Sequence, residues 1–267
     1  MPDVPTAHLN GIDVYYEREG TGPRLLFLNG SGATLATSAP LLATLRSRFD
    51  LLANDQRGLG QTSVPDGPYT MAGYAADAAA LAESIGWASY GVIGISFGGM
   101  VAQELAVTFP QRIERLALVV TSPGGAGGSS YPLHTLVDMD PDERLALRLP
   151  LLDTRFDEAW LESHPNDRML VEAMSARSAD DKPADVLRGE ALQLEARSHL
   201  DVYDRLANIT CPTLVASGRY DGIAPPSNGE AIASQIPNSE LRLYEGGHAC
   251  FYQDRTAFPE IIEFLAG

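Results

Sequence analysis

The chain has 267 residues, with 19 Lys and Arg against 35 Asp and Glu and a formal net charge of −16, which excludes the basic footprint that binding to nucleic acid or anionic lipid requires. At 45% hydrophobic and 20% charged residues, the composition is that of a packed globule and not of a disordered chain. Lys182 is the only lysine, which removes most routes to Schiff-base chemistry.

The opening MPDVPTAHLNGIDVYY contains two prolines and an acid and lacks the apolar core of a secretory signal. No segment approaches the length of a membrane span, the purest apolar pieces being short ones such as LALVV at 116–120. A soluble, cytoplasmic protein is the expectation. Cys211 and Cys250 stand in no metal-binding spacing and are read as free thiols of a reducing compartment.

Thr6–Leu9 and Ile12–Glu19 flank Asn10-Gly11, the pair that best closes a two-residue hairpin because both residues tolerate positive φ. A short apolar run, Arg24–Leu28, ends in the turn cluster Asn29-Gly30-Ser31-Gly32. A helix over Leu35–Arg48 and a strand over Phe49–Ala53 follow. The rhythm continues with a helix at Thr70–Ile85 capped by Thr70, a strand at Tyr90–Ile95, a helix at Phe97–Phe109 stopped by Pro110, and a buried strand at Ile113–Val120. Such alternation predicts a mostly parallel sheet covered by helices.

Ser122–Ser130 is rich in glycine and reads as a flexible break, after which no strand is expected until about residue 198. Residues 123–198 are therefore expected to form an inserted helical subdomain, with 1–122 and 199–267 building the core. The sheet resumes at Thr213–Ser217, followed by a helix at Pro226–Gln235, a strand at Glu240–Tyr244 and a closing helix at Gln253–Leu265.

The segment Gly94-Ile95-Ser96-Phe97-Gly98 places GxSxG between an apolar strand and an apolar-periodic helix. A serine at such a corner is held in a strained conformation, and the flanking glycines keep neighbouring Cβ atoms from colliding as the chain reverses. Ser96 is thus the candidate nucleophile. A serine hydroxyl needs a base, and the base needs an orienting partner. Of the five histidines, His248 alone follows a sheet strand, in Glu245-Gly246-Gly247-His248, at the carboxyl edge where ligands gather on open α/β sheets. Asp221 ends the turn after the preceding strand and reaches the same edge. Negative charge developing on a carbonyl oxygen would be met by the N–H groups of Phe97, at a helix N-terminus, and of Ser31, in the turn after Leu28.

These motifs, together with Asp55-Gln56-Arg57-Gly58, resemble the α/β-hydrolases over nearly the whole chain, and within them the esterase, enol-lactonase and cofactor-free haloperoxidase-like branch. The resemblance implies an eight-stranded, mostly parallel sheet with a helical cap, a Ser96–His248–Asp221 triad and no cofactor or metal. Many relatives carry His-Gly where this chain has Asn29-Gly30; a main-chain oxyanion hole survives that change. The serine at 96 speaks against dehalogenase and epoxide hydrolase chemistry, which uses a carboxylate there. The implied reaction is cleavage of a small carboxylic ester or lactone, with carbon–carbon hydrolysis of a β-diketone-like substrate or perhydrolysis as alternatives on the same triad, and a ligand-binding receptor or scaffold as the alternative of another class. Asn29, Gly30 and Trp160 are the candidate pocket residues. Arg144, Arg148, Arg155, Arg168, Arg177, Arg188 and Arg197 are expected to face solvent among the acids of the insertion, although an inward one would suit a substrate carboxylate. The expected partner is the small-molecule substrate, with no nucleic acid or membrane and with a homodimer left open.

Overall fold

A computed structural model describes residues 5–137, 139–176 and 182–267. Eight strands form one sheet: β1 (Thr6–Leu9), β2 (Ile12–Glu19), β3 (Arg24–Leu28), β4 (Asp50–Asn54), β5 (Tyr90–Ile95), β6 (Ile113–Val119), β7 (Thr213–Gly218) and β8 (Ser239–Tyr244). Their spatial order is β1-β2-β4-β3-β5-β6-β7-β8. The β1–β2 and β2–β4 pairs are antiparallel and the remaining five are parallel. Asn10 at φ 50° and Gly11 at φ 79° close the first hairpin as the pair predicts.

Along the chain lie α1 (Ala39–Arg46), α2 (Met71–Ser84), α3 (Phe97–Thr108), α4 (Pro141–Leu152), α5 (Glu158–Ser163), α6 (Pro165–Ala176), α7 (Ala184–Ser198), α8 (Pro226–Gln235), α9 (Cys250–Gln253) and α10 (Ala257–Ala266). Alternate residues of the central strands serve opposite faces of the sheet. Leu26, Leu28, Val92, Leu116, Leu118 and Val215 pack with residues of α2, α3 and α8. Leu25, Phe27, Ile93, Ala117, Val119 and Leu214 pack with Leu41, Leu42 and Leu45 of α1 and with Ile261, Ile262 and Leu265 of α10. Cover on both sides explains why β5 and β7 are buried throughout and read as continuous apolar runs instead of alternating ones. Each such large aliphatic side chain contributes roughly 1.5–3 kcal/mol by leaving water.

Three expectations shift. The helix expected at Leu35–Arg48 begins at Ala39, because Thr34 and Thr37 bond one another in a turn and Pro40 sits in the first helical turn, where its missing N–H costs nothing. The closing helix is divided at Asp254, whose Oδ1 accepts the N–H and the hydroxyl of Thr256 at 2.9 and 2.8 Å. The glycine stretch after β6 is packed and not a flexible break: a Cβ on Gly124 would stand 1.9 Å from the Leu200 carbonyl oxygen, and one on Gly127 would stand 2.2 Å from the Tyr203 ring. Between β6 and β7 the described residues contain helices and turns but no strand. No helix among the described residues is long and apolar enough to cross a membrane.

Candidate active site

Ser96 lies between β5 and α3 with φ 54° and ψ −112°, a backbone region that costs a side-chain-bearing residue about 1–3 kcal/mol. The surrounding contacts hold it there. Its N–H donates to the Val119 carbonyl at 2.8 Å, and its own carbonyl accepts from Thr121 Oγ1 at 2.8 Å. The elbow glycines are required by space: a Cβ on Gly94 would meet the Gly98 carbonyl oxygen at 2.3 Å, and one on Gly98 would meet the Leu28 carbonyl oxygen at 2.0 Å. The elbow is thereby pressed against the turn that follows β3.

Downstream, the loops after β7 and β8 bring their residues to the same edge. His248 Nε2 is 2.9 Å from Ser96 Oγ, and His248 Nδ1 is 2.8 Å from Asp221 Oδ2. Asp221 is 2% exposed, and its other oxygen accepts the N–H groups of Ile223 and Ala224, each at 2.8 Å. Because an ionised carboxylate only accepts, the proton of neutral His248 sits on Nδ1 and the Nε2 lone pair faces the serine hydroxyl.

The turn after β3 stands beside the nucleophile: a Cβ on Gly30 would lie 3.7 Å from Ser96 Cβ. Among the described residues no acceptor takes the N–H of Ser31 or of Phe97, so both remain available to a developing oxyanion. Asn29 is buried and braces the turn, its Oδ1 accepting from Ser38 Oγ at 2.7 Å and its carbonyl from Gln56 Nε2 at 2.8 Å. Asp55 steadies the adjoining loop by accepting the N–H groups of Leu35 and Gln61, and burial raises its carboxyl pKa.

Trp160, expected at the pocket, is held within the insertion. One face stacks on His164 with centroids 3.8 Å apart, Arg155 lies 4.6 Å over its ring, and its Nε1 donates to Asp167 Oδ2 at 2.8 Å. Of the insertion's arginines, Arg177 lies outside the described residues. Arg197 departs from the expected solvent-facing position, being 6% exposed.

Several contributors carry no motif. Thr121 secures the Ser96 carbonyl, Gln193 of α7 accepts the Gly32 N–H at 2.8 Å, and Gln253 Oε1 accepts the Gly247 N–H at 2.8 Å. Each is an unremarkable polar residue in sequence, and only the Gln193 bond joins segments far apart in the chain. No three His, Cys, Asp or Glu side chains among the described residues are grouped so as to hold a metal ion.

The 3-oxoadipate enol-lactonase 2 of Acinetobacter baylyi is 26% identical over 242 residues, covering 90% of this chain and 87% of that protein. The crystal structure of an enol-lactonase from Burkholderia xenovorans has a TM-score of 0.82 at 25% identity and covers 98% of this chain and 100% of its own. The crystal structure of a hydrolase from Pseudomonas aeruginosa has a TM-score of 0.82 at 30% identity, covering 100% and 99%. With the family model for the alpha/beta hydrolase fold matching residues 23–254, the chain belongs to the α/β-hydrolase fold family.

Proposed function

We propose that this protein is a serine hydrolase cleaving a small carboxylic ester or lactone through an acyl-enzyme on Ser96. The observation that carries the reading is the unbroken sequence of contacts from Asp221 through His248 to Ser96 Oγ, at 2.8 and 2.9 Å, beside two unengaged backbone N–H groups. As Oγ attacks the substrate carbonyl, its proton passes to His248 Nε2 and the imidazolium is stabilised by Asp221. The carbonyl oxygen takes the negative charge between the amides of Ser31 and Phe97, a contribution of about 10² to 10³ in rate for each donor. Collapse of the intermediate breaks the acyl–oxygen bond, and the leaving alkoxide takes the proton from His248. Water then attacks the acyl carbonyl, giving its proton to His248, which returns it to Ser96 as the acid departs. Residues 123–198 serve as the cap over this site. The enol-lactonase names among the relatives support a lactone or ester as substrate.

The test is the intact mass of the protein after exposure to a serine-directed fluorophosphonate, with Ser96→Ala in parallel. One adduct on the unmodified chain and none on the variant is expected. Absence of an adduct on the folded chain would sink the catalytic reading and leave a binding protein of this fold.

A further inference from the structure

In the turn after β3, Ser31 stands between two glycines. The Ala33 N–H donates to the Gly30 carbonyl at 3.2 Å, and Gly32 takes φ 67°, the positive value that a type II turn demands at its third residue. Glycine adopts either sign of φ with similar ease, so Gly30-Ser31-Gly32 permits this arrangement without enforcing it, and the Ser31 hydroxyl is buried with no partner among the described residues. The turn is therefore held from outside. Before Ser31 the core holds it through Asn29, whose Oδ1 and carbonyl accept from Ser38 and Gln56. Immediately after Ser31 the insertion holds it: the Gly32 N–H donates to Oε1 of Gln193, in α7, at 2.8 Å.

Helix α7 comes close enough to do this because Gly189, one turn before Gln193 on the same buried face, has no side chain: a Cβ there would stand 1.9 Å from the Gly58 carbonyl oxygen. Glu190 also reaches the turn, its Oε1 lying 3.5 Å from where a Cβ on Gly32 would be. Lys182, the only lysine, pairs with that carboxylate at 2.6 Å and offsets the negative charge that α7 brings to the turn. Gln193 is fully buried, and its Nε2 makes no hydrogen bond among the described residues. A buried amide with an unbonded donor costs more than an apolar side chain of the same size, so packing alone does not account for it; the carbonyl held on Gly32 does. The same amide lies beside the Tyr74 hydroxyl, where it acts against the rise in pKa that burial causes, and the Tyr74 ring meets Phe97 edge-on with centroids 4.9 Å apart. Gln193 thus bonds the residue that follows one candidate oxyanion donor and adjoins the ring packed against the other.

We propose that Gln193 is a positioning residue for the oxyanion hole: by holding Gly32 from the insertion it aims the Ser31 N–H at the substrate carbonyl oxygen, so that the hole is complete only with α7 seated on the turn. This rests on the serine hydrolase reading and extends its machinery from the core into the insertion. Gln193→Met keeps the volume and removes the acceptor. With 4-nitrophenyl butyrate it should lower kcat by about 10- to 100-fold, part of what a whole donor supplies, while KM changes by less than about twofold. The inhibitor 1,1,1-trifluoroheptan-2-one reports on the hole itself: Ser96 Oγ adds to its carbonyl carbon, the Oγ proton passes to His248, and the ketone oxygen becomes an oxyanion between the two N–H groups. Its inhibition constant should rise in step with the fall in kcat. A folded Gln193→Met with kcat and inhibition constant unchanged, or with KM alone raised, overturns the proposal. Amide exchange in the unmodified chain, followed by NMR, reads the bond without a variant. The Gly32 N–H should exchange more slowly than the Ser31 N–H in the free protein, and the Ser31 N–H should slow when the ketone is added; a Gly32 N–H that exchanges as fast as that of Ser31 overturns the proposal even where Gln193→Met fails to fold. Fluorophosphonate labelling of Ser96 judges the catalytic reading separately, since an unlabelled native chain fails that reading while labelling with an unchanged variant fails this proposal alone.

Discussion

The backbone N–H of His248 donates to the carbonyl oxygen of Leu152 at 2.6 Å, tying the candidate base to the end of α4 and not only to the sheet from which its loop emerges. Neighbouring bonds run both ways: Gly222 N–H reaches the Leu151 carbonyl at 3.1 Å, and Thr154 N–H reaches the Tyr220 carbonyl at 2.8 Å. Residues 151–154 thus join the loop of Asp221 to the loop of His248. Gln253 completes the brace, with Oε1 on the Gly247 N–H and Nε2 on Asp153 Oδ2 at 3.0 Å and Asp167 Oδ1 at 3.2 Å. Arg155 holds Asp153 from the other side with two bonds and stacks on Tyr220 at 3.8 Å.

If this brace sets the imidazole's position, Gln253→Ala should lower kcat for a reactive ester by about tenfold while KM changes by less than about twofold, since small displacements of a base reduce turnover more than binding. Its stability should fall by about 1–2 kcal/mol through the lost buried bonds. A lowered urea midpoint with kcat intact would reduce Gln253 to a structural role.

The strained serine makes a prediction free of any substrate. Ser96→Ala and Ser96→Gly both remove the hydroxyl, but only the glycine variant also removes the Cβ that makes φ 54°, ψ −112° unfavourable. Part of the gain is offset by the greater freedom of glycine in the unfolded chain. Ser96→Gly should therefore be more stable than Ser96→Ala by about 1 kcal/mol in urea unfolding. Equal stabilities would mean that the elbow relaxes once Oγ is gone and that the strain belongs to the hydroxyl's contacts with His248.

The main line of this site was legible in the sequence because Ser96, Asp221 and His248 each lie within four residues of the end of a sheet strand, so that the pattern locating the strand also locates the residue at the sheet's edge. The two-residue hairpin and the eight strands followed from the same local signals. What remained hidden acts between segments. Nothing local distinguishes Arg197 from the exposed arginines of α7 and its neighbours, since a helix of mixed polarity hides which face it buries. Trp160 had the right composition for a pocket, yet Arg155 and His164, both within five residues, claim its ring faces. The glycines after β6 were indistinguishable from a linker because their function is to let Leu200, Asp201 and Tyr203 approach, and those partners lie more than seventy residues on.

Cys250 lies two residues beyond His248 and is fully buried. Burial, reinforced by the charges of Asp221 and Asp254, pushes its thiol from 9.0 up to about 12. The folded-state pKa exceeds the unfolded one, so the thiol's contribution to stability is fully present below about pH 9 and is lost as pH rises through about 12. Burial raises Tyr90 and Tyr244 to about 12 as well, but the unfolded chain begins to ionise these phenols only near pH 10, so the thiol acts first. Unfolding free energy should drop by about 1 kcal/mol from Cys250 alone between about pH 9 and pH 10. In Cys250→Ala the protein is less stable at neutral pH because of the cavity, and its stability should be flatter over that interval by the same amount. Urea titrations of both proteins at about pH 8, 9 and 10 measure the difference in slope. Parallel slopes would show that the thiol ionises equally in both states, meaning that α9 opens to solvent well before the fold is lost.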